Sequence, residues 1–286
     1  MGGEDGHLVI DLKYFDSVRL DNETNIATVG PGTRLGNMAL ALFNQSGRAI
    51  AHGLCPGWVS LYPRRNSMLT VGRVGIGGHV LHGGQGYSSH THGLTLDFLT
   101  EAEVVLADSS VVTASTTENS DLFWALRGAG MSYGIVTSLK FRTIAAPPEN
   151  VLFYYPYIWN RTQAFAGWDA FQRYSAGLTS PQIPAEMNIR MTIGNATGTA
   201  DFLVFILEGA YHGSTTNFLA AIAPLTAVLN ATGGLYEPNT GVYQLGWLDA
   251  LLYANNNALL TGSDNGEVLE TPLNYTAVSE STRNRF

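Results

Sequence analysis

The sequence predicts a globular chain of short strands and helices divided into two domains. Three observations predict it. A chain of 286 residues, 45% hydrophobic and only 13% charged, can bury a sizeable core, and its length suits one large domain or two ordinary ones. Apolar runs of strand length are interspersed with segments of helical spacing. The run Ala145-Ala146-Pro147-Pro148 is the clearest break in the chain: beyond it glycine thins and aromatic residues become frequent, which places a boundary between residues 146 and 147.

The elements follow in order. Leu8 to Leu12, Ser17 to Leu20 and Asn25 to Val29 read as strands separated by Asp and Asn turns. Leu35, Met38, Ala39 and Leu42 recur at helical spacing, with Thr33 as the expected N-cap and Asn44-Gln45-Ser46-Gly47 as the stop. Glu101 to Leu106 and Val111 to Ala114 form an expected hairpin. Asn119 or Ser120 should cap a short helix, Asp121 to Leu126, ended by Gly128 and Gly130; Phe123, Trp124 and Leu126 are expected to supply core contacts. Gly134 to Phe141 reads as a strand. Beyond the boundary, Asn188 to Ile193 and Ala200 to Glu208 read as strands, and Thr215 to Leu229 and Val242 to Tyr253 as helices.

Composition excludes several partners. A formal charge of -8 with no basic run leaves no electrostatic footprint for nucleic acid or anionic lipid, so a small or neutral partner fits better. No stretch approaches the ~18 apolar residues of a membrane span. Six sequons, at Asn22, Asn44, Asn160, Asn195, Asn230 and Asn274, favour a secretory route. The amino terminus has neither the basic nor the apolar region of a signal peptide, so either the protein is intracellular or its start is missing.

The densest chemical feature is Val74-Gly75-Ile76-Gly77-Gly78-His79, followed by Gly83-Gly84-Gln85-Gly86-Tyr87. Glycines here would let backbone amides reach a planar or phosphorylated ligand. They do not form a Rossmann fingerprint, which needs a preceding strand and a following helix, and composition alone favours a glycine-rich turn region of a β protein over a cofactor site. The single cysteine, Cys55, lies in His52-Gly53-Leu54-Cys55-Pro56-Gly57 and reads either as an inert small hydrophobe or as a reactive thiol. His52, His79, His82, His90 and His92 crowd one stretch, but their spacing matches no zinc pattern and no carboxylate lies among them, so no metal site is expected. No G-x-S-x-G elbow or P-loop is present, which leaves hydrolase and nucleotidase readings without a nucleophile or phosphate cradle.

Taken together, His52 to Gly57, Val74 to His79, Gly93-Leu94-Thr95-Leu96-Asp97, Asn119 to Gly130 and Tyr133-Gly134-Ile135-Val136-Thr137 resemble the berberine bridge enzyme-like, vanillyl-alcohol-oxidase-type FAD oxidoreductases, particularly their glucooligosaccharide oxidase-like members. The resemblance implies an α+β fold: a PCMH-type FAD-binding domain over residues 1–146, then a partial substrate domain of antiparallel sheet and helices over residues 147–286. It implies FAD as cofactor, with Cys55 as a covalent anchor, Gly75, Gly77, Gly78 and His79 beside the isoalloxazine ring, and Gly134, Ile135 and Val136 near the adenosine. It further implies oxidation of an alcohol group on a carbohydrate or small metabolite. A tyrosinate would take the hydroxyl proton, hydride would pass to the flavin, and oxygen would accept the electrons. A non-catalytic secreted glycoprotein of the same fold is the rival reading, and a dehydrogenase that shuns oxygen differs only in its electron acceptor. Tyr87 and Tyr133 lie in the right region but read as structural.

The chain departs from the family pattern in three places. The Arg-x-Gly-Gly-His segment that cradles the pyrophosphate and supplies a histidyl link is not found. Trp58 to Arg73 interrupts an otherwise continuous motif and reads as an insert, consistent with translated intron. The Tyr-x-Asn-Tyr element that carries the family's tyrosine base is expected beyond the C-terminus.

Overall fold

The structure is a computed structural model that describes residues 9–53, 74–178, 183–195, 202–233, 240–254, 258–260, 268–270 and 276–277, with side chains described to residue 251 except in the strand-end residue 195. Two compact units are present. The first comprises Met1–Ser89, Gly93–Ala146 and Asn255–Thr271; the second comprises His90–His92, Pro147–Ala254 and Pro272–Phe286. Among the described residues no helix is long and apolar enough to cross a membrane.

The first unit is built on a five-stranded antiparallel sheet. Its strands are β1 (Val18–Asp21), β2 (Ile26–Val29), β4 (Leu99–Val105), β5 (Val111–Ser115) and β6 (Ile135–Arg142), in the order β1-β2-β6-β4-β5. A short pair, β3 (Arg48–Ala49) with β7 (Ile144–Ala145), closes it beside α1 (Leu35–Ser46). Helix α1 buries Leu35, Met38, Ala39 and Leu42 and ends at Gly47, whose φ of 58° is the left-handed conformation that favours glycine. Short helices α2 (Ile76–Val80), α3 (Ser89–His92) and α4 (Thr95–Phe98) lead into β4, and α5 (Ser120–Ala129) leads through a 3₁₀ turn, Gly130–Ser132, into β6. The apolar faces of α2, α4 and α5 merge with the sheet in one core that includes Ile76, Val80, Phe98, Phe123, Leu126 and Phe141, whereas α3 buries no residue.

The second unit opens with β8 (Asn150–Asn160) and α6 (Arg161–Ser175), followed by β9 (Met187–Asn195), β10 (Phe202–His212) and α7 (Thr215–Thr232). Strand β11 (Gly241–Leu245) and helix α8 (Trp247–Ala254) follow; beyond them are the short pair β12 (Ala258–Leu260) with β13 (Val268–Glu270), and β14 (Thr276–Ala277). The sheet order is β14-β11-β8-β10-β9, all antiparallel. Period-two alternation divides its faces. Val151, Phe153, Tyr155, Tyr157 and Trp159 of β8 join Phe205, Leu207 and Tyr211 of β10 in packing on Phe218, Ile222, Leu225 and Leu229 of α7. The even-numbered residues of β8 and β10 lie on the opposite face.

Several expectations give way to tertiary context. Residues 9–12 are not in a strand, and Leu8 lies outside the described residues. Thr33 does not cap α1: the N-cap is Arg34 without a side-chain bond, because the Thr33 carbonyl accepts from the Ile76 amide at 2.8 Å and the residue is drawn into backbone pairing. Asn119 precedes α5 in a left-handed conformation, φ 46°, but its amide bonds back to the Thr113 carbonyl at 2.7 Å instead of capping. Trp124 is 79% exposed, so its expected core role is wrong: α5 turns Phe123 and Leu126 inward, and a residue about 100° round the helix from Phe123 points away. Val242 to Tyr253 is not one helix but β11 followed by α8, since Gly241–Leu245 pairs with β8 in register.

Candidate functional site

The glycine-rich segment of the first unit is a frame of backbone contacts. Residues 74–77 pair with residues 31–35: the Leu35 amide donates to the Val74 carbonyl at 3.1 Å, Ile76 to Thr33 at 2.8 Å, and Gly77 to Pro31 at 3.1 Å. A Cβ on Gly77 would stand 2.8 Å from the Pro31 carbonyl oxygen, so this glycine is required by packing within the chain. The sequence does not announce helix α2, which begins inside the glycine run at Ile76. It is five residues long, and no Rossmann unit surrounds it among the described residues.

His79 anchors a second layer of the frame. Its Nε2 accepts from the Gly53 amide at 2.7 Å, and burial, with His52 nearby, depresses its pKa to about 4, so the ring is neutral and its Nδ1 carries the proton. His52 is buried with its Nδ1 against the Gly53 carbonyl at 2.8 Å. Gly53 packs on His79 and the Gln85 carbonyl, and Gly86 packs on the His52 carbonyl. Thr95, fully buried, donates through Oγ1 to the Ala51 carbonyl at 2.8 Å, while its amide donates to Gly84 at 2.9 Å. Segments 51–53, 83–86 and 95–96 are thereby held as one block.

Gly78 is different. It is exposed, and a Cβ there would meet nothing within 4 Å. A planar group can lie along its backbone without a side chain intervening. The expected ligand-facing set therefore divides: Gly77 serves the chain's own packing, Gly75 has its nearest neighbours at 3.7 Å or beyond, and Gly78 presents open backbone beside neutral His79. Gly134 packs against Val104 and the Val105 carbonyl, Ile135 is half-buried and Val136 is buried in the core. Cys55 and the segment Trp58–Arg73 lie outside the described residues.

The remaining motif pieces lock together around this block. Arg127 pairs with Asp97 at 3.3 Å, joining the Asn119–Gly130 and Gly93–Asp97 motifs, and Gly130 packs directly against Leu81 just after α2. Four of the five clustered histidines are engaged with backbone: His82 Nδ1 with the Gly78 carbonyl at 2.9 Å and His90 Nδ1 with the Ala185 carbonyl at 3.2 Å, besides His52 and His79, while the His92 ring lies 5.9 Å from that of His212. Tyr133 is half exposed and Tyr87 partly buried.

Sequence reasoning missed a polar row on the other face of the second unit's sheet. Register aligns Tyr154 of β8 with Glu208 of β10, and Glu208 with Arg190 of β9. Arg190 donates to the Glu208 carboxylate from Nε at 3.1 Å and from Nη2 at 2.8 Å. The Tyr154 hydroxyl is buried without a hydrogen-bond partner, and burial, then Glu208, hold it protonated well beyond the ordinary phenol range. Nearby on the same face, His212 Nδ1 donates to the Asn150 side-chain oxygen at 2.7 Å, and burial, then His92, depress the His212 pKa to about 4. The only sequence signal for this row is alternation in β8, where Tyr154 is hidden in an apolar run.

Comparison with known proteins agrees with this architecture. A family profile described as a FAD binding domain matches residues 64–115. A xylooligosaccharide oxidase of Thermothelomyces thermophilus is 48% identical over 232 residues, covering 81% of this chain and 41% of that protein. The solved xylooligosaccharide oxidase from Myceliophthora thermophila C1 in complex with xylobiose superposes with a TM-score of 0.74 at 42% identity, covering 93% of this chain and 50% of that one. A glucooligosaccharide oxidase from Acremonium strictum, described as carrying 6-S-cysteinyl, 8α-N1-histidyl FAD, superposes with a TM-score of 0.74 at 34% identity, covering 91% of this chain and 48% of that one.

The fold, with antiparallel sheet and helices in both units, is that of PCMH-type FAD-binding proteins. Within that class the chain is similar to berberine bridge enzyme-like proteins, and in particular to oligosaccharide oxidases. It spans about half the length of the relatives it matches. The similarities favour the oxidoreductase reading over the non-catalytic one.

Proposed function

We propose that the protein of which this chain forms part oxidises an alcohol group of an oligosaccharide, with FAD as cofactor and oxygen as electron acceptor, and that it follows the secretory route. The observation that carries the substrate class is 48% identity to a xylooligosaccharide oxidase across 81% of this chain. Six sequons support the route. Bound FAD would supply the two-electron chemistry, accepting hydride from the alcohol carbon and returning the electrons to oxygen.

This chain's residues bind and position. Gly78 offers its open backbone to the isoalloxazine ring, with Gly75, Gly77 and His79 shaping the path on either side. His79, neutral and bonded to the Gly53 amide, fixes the backbone two residues before Cys55, whose thiol is the covalent anchor. Gly134, Ile135 and Val136 contribute backbone to the adenosine portion. In the second unit, Tyr154 and the Glu208–Arg190 pair are suited to neutral hydroxyl groups, because a protonated phenol donates and a carboxylate accepts. No tyrosine of this chain is assigned the role of proton acceptor.

The test uses the full-length protein. Purified material should show flavin absorbance and release hydrogen peroxide with xylo-, cello- or chito-oligosaccharides. Flavin-free protein, or flavoprotein inert towards all three, would overturn the assignment. Turnover with an artificial acceptor but without oxygen uptake would make it a dehydrogenase.

A further inference from the structure

The six sequons are not equivalent once folded. Asn22 sits in the turn between β1 and β2 and is exposed, as are Glu23 and Thr24. The turn is held by its neighbour: the Asp21 carboxylate accepts from the Glu23 amide at 2.9 Å and the Thr24 hydroxyl at 2.7 Å, so the Asn22 amide is not needed to build it. Asn44 lies on the exposed side of the last turn of α1, followed by exposed Gln45 and Ser46. Among the described residues neither Asn22 nor Asn44 has a side-chain hydrogen bond.

These two sequons share one corner of the first unit. The Gln45 side chain accepts from the Leu20 amide at 3.0 Å and reaches the Val18 carbonyl at 3.4 Å, tying the end of α1 along the outer edge of β1. Asn44 therefore stands beside the edge strand whose far end carries Asn22. Asn230 is the opposite case. It is half-buried on α7, and its Oδ1 accepts from the Tyr157 hydroxyl at 3.3 Å against the core of the second unit. A glycan on its Nδ2 would have to leave through packed side chains. Asn160 is exposed, but its Oδ1 is committed to the capping box of α6, and the side chains of Asn195 and Asn274 lie outside those described.

We infer that Asn22 and Asn44 are the N-glycan sites of this corner and that Asn230 stays unmodified in the folded protein. The inference rests on the secretory route proposed above. In the step, the side-chain Nδ2 forms a bond to the anomeric carbon of a lipid-diphosphate-linked oligosaccharide. The carbon–oxygen bond to the diphosphate breaks, the lipid diphosphate leaves, and the amide loses one proton. It follows that the corner formed by β1 and the end of α1 faces solvent in the longer protein, and that other parts of the protein or its partners dock elsewhere.

The test is to express the full-length protein behind a heterologous signal sequence in a eukaryotic secretory host, so that entry to the lumen does not depend on the natural route. Peptides from secreted protein, or from the lumenal fraction if it is retained, are released with peptide N-glycosidase in heavy-oxygen water and mapped by mass. Heavy label at Asn22 and Asn44 with none at Asn230 is expected, and Asn22→Gln and Asn44→Gln should each remove one glycan from the gel pattern. Bare Asn22 or bare Asn44, or a glycan on Asn230 in soluble protein, overturns the assignment. Failure of the secretory reading would show separately, as the natural full-length protein remaining inside its own cell while the signal-fused form is still glycosylated at both sites.

Discussion

Replacing Gly53 by Ala separates glycines that serve packing from glycines that serve a ligand. An added Cβ would collide with the His79 imidazole and stand 2.8 Å from the Gln85 carbonyl, and backbone, which cannot swing aside, makes up one of the two obstacles. The same movement stretches the 2.7 Å bond from the Gly53 amide to His79 Nε2. Overpacking costs roughly 1–3 kcal/mol and a compromised, partly buried hydrogen bond about 1 more, so a loss of about 2–4 kcal/mol is expected. For a domain of this size that lowers Tm by roughly 5–15 °C. Gly78→Ala meets nothing within 4 Å and lies in a helix where Ala is favoured, so stability should change by under about 0.5 kcal/mol, while flavin content of the full-length protein should fall if this edge faces the ring. Paired thermal melts and flavin absorbance read both effects. A Gly53→Ala protein as stable as wild type would refute the packing of the frame, and a Gly78→Ala protein with full flavin content would refute the placement of the ring.

Three further outcomes are expected. Trp159→Ala removes a fully buried ring whose centroid lies 4.7 Å from that of Tyr157 and 4.8 Å from that of Phe205, both tilted against it, and should cost about 3–5 kcal/mol in denaturant unfolding, whereas Trp124→Ala should stay within about 0.5 kcal/mol; equal effects would refute the burial pattern. His212 is neutral when folded, with its pKa near 4 against an ordinary 6.5, so the unfolded chain binds the extra proton first: stability is steady above about pH 6.5 and falls towards pH 4 by up to about 3 kcal/mol. In His212→Gln that acid loss should shrink, and an unchanged slope between pH 6.5 and 4 counts against a neutral buried ring. Glu208→Gln should cost less than about 1 kcal/mol, because Arg190 is half exposed, yet lower the Tyr154 ionisation in a spectroscopic titration while burial keeps it raised, and raise KM for oligosaccharide; an unmoved Tyr154 would break the proposed row.

Local features were legible in the chain itself. Helix α1 could be read from Leu35, Met38, Ala39 and Leu42 with Gly47 after them, and the β4–β5 hairpin from two apolar runs around Asp108 and Ser109, since both depend on neighbours a few residues away. The motif set also carried the resemblance to FAD-binding oxidoreductases, because short glycine-rich pieces in a fixed order are read without knowing where they meet. What no local pattern could supply was the partner of each residue. Glycine at 53 is visible in the sequence, but the reason for it is a histidine 26 positions away. Thr33 looks like a cap until residues 74–77 claim its backbone, Trp124 looks like core until α5 chooses its buried face, and Gly241–Leu245 looks helical until β8 offers a ladder. Glu208, Arg190 and Tyr154 become one row only because strands far apart in sequence pair in a single register, and register is set by which face of the whole sheet is buried.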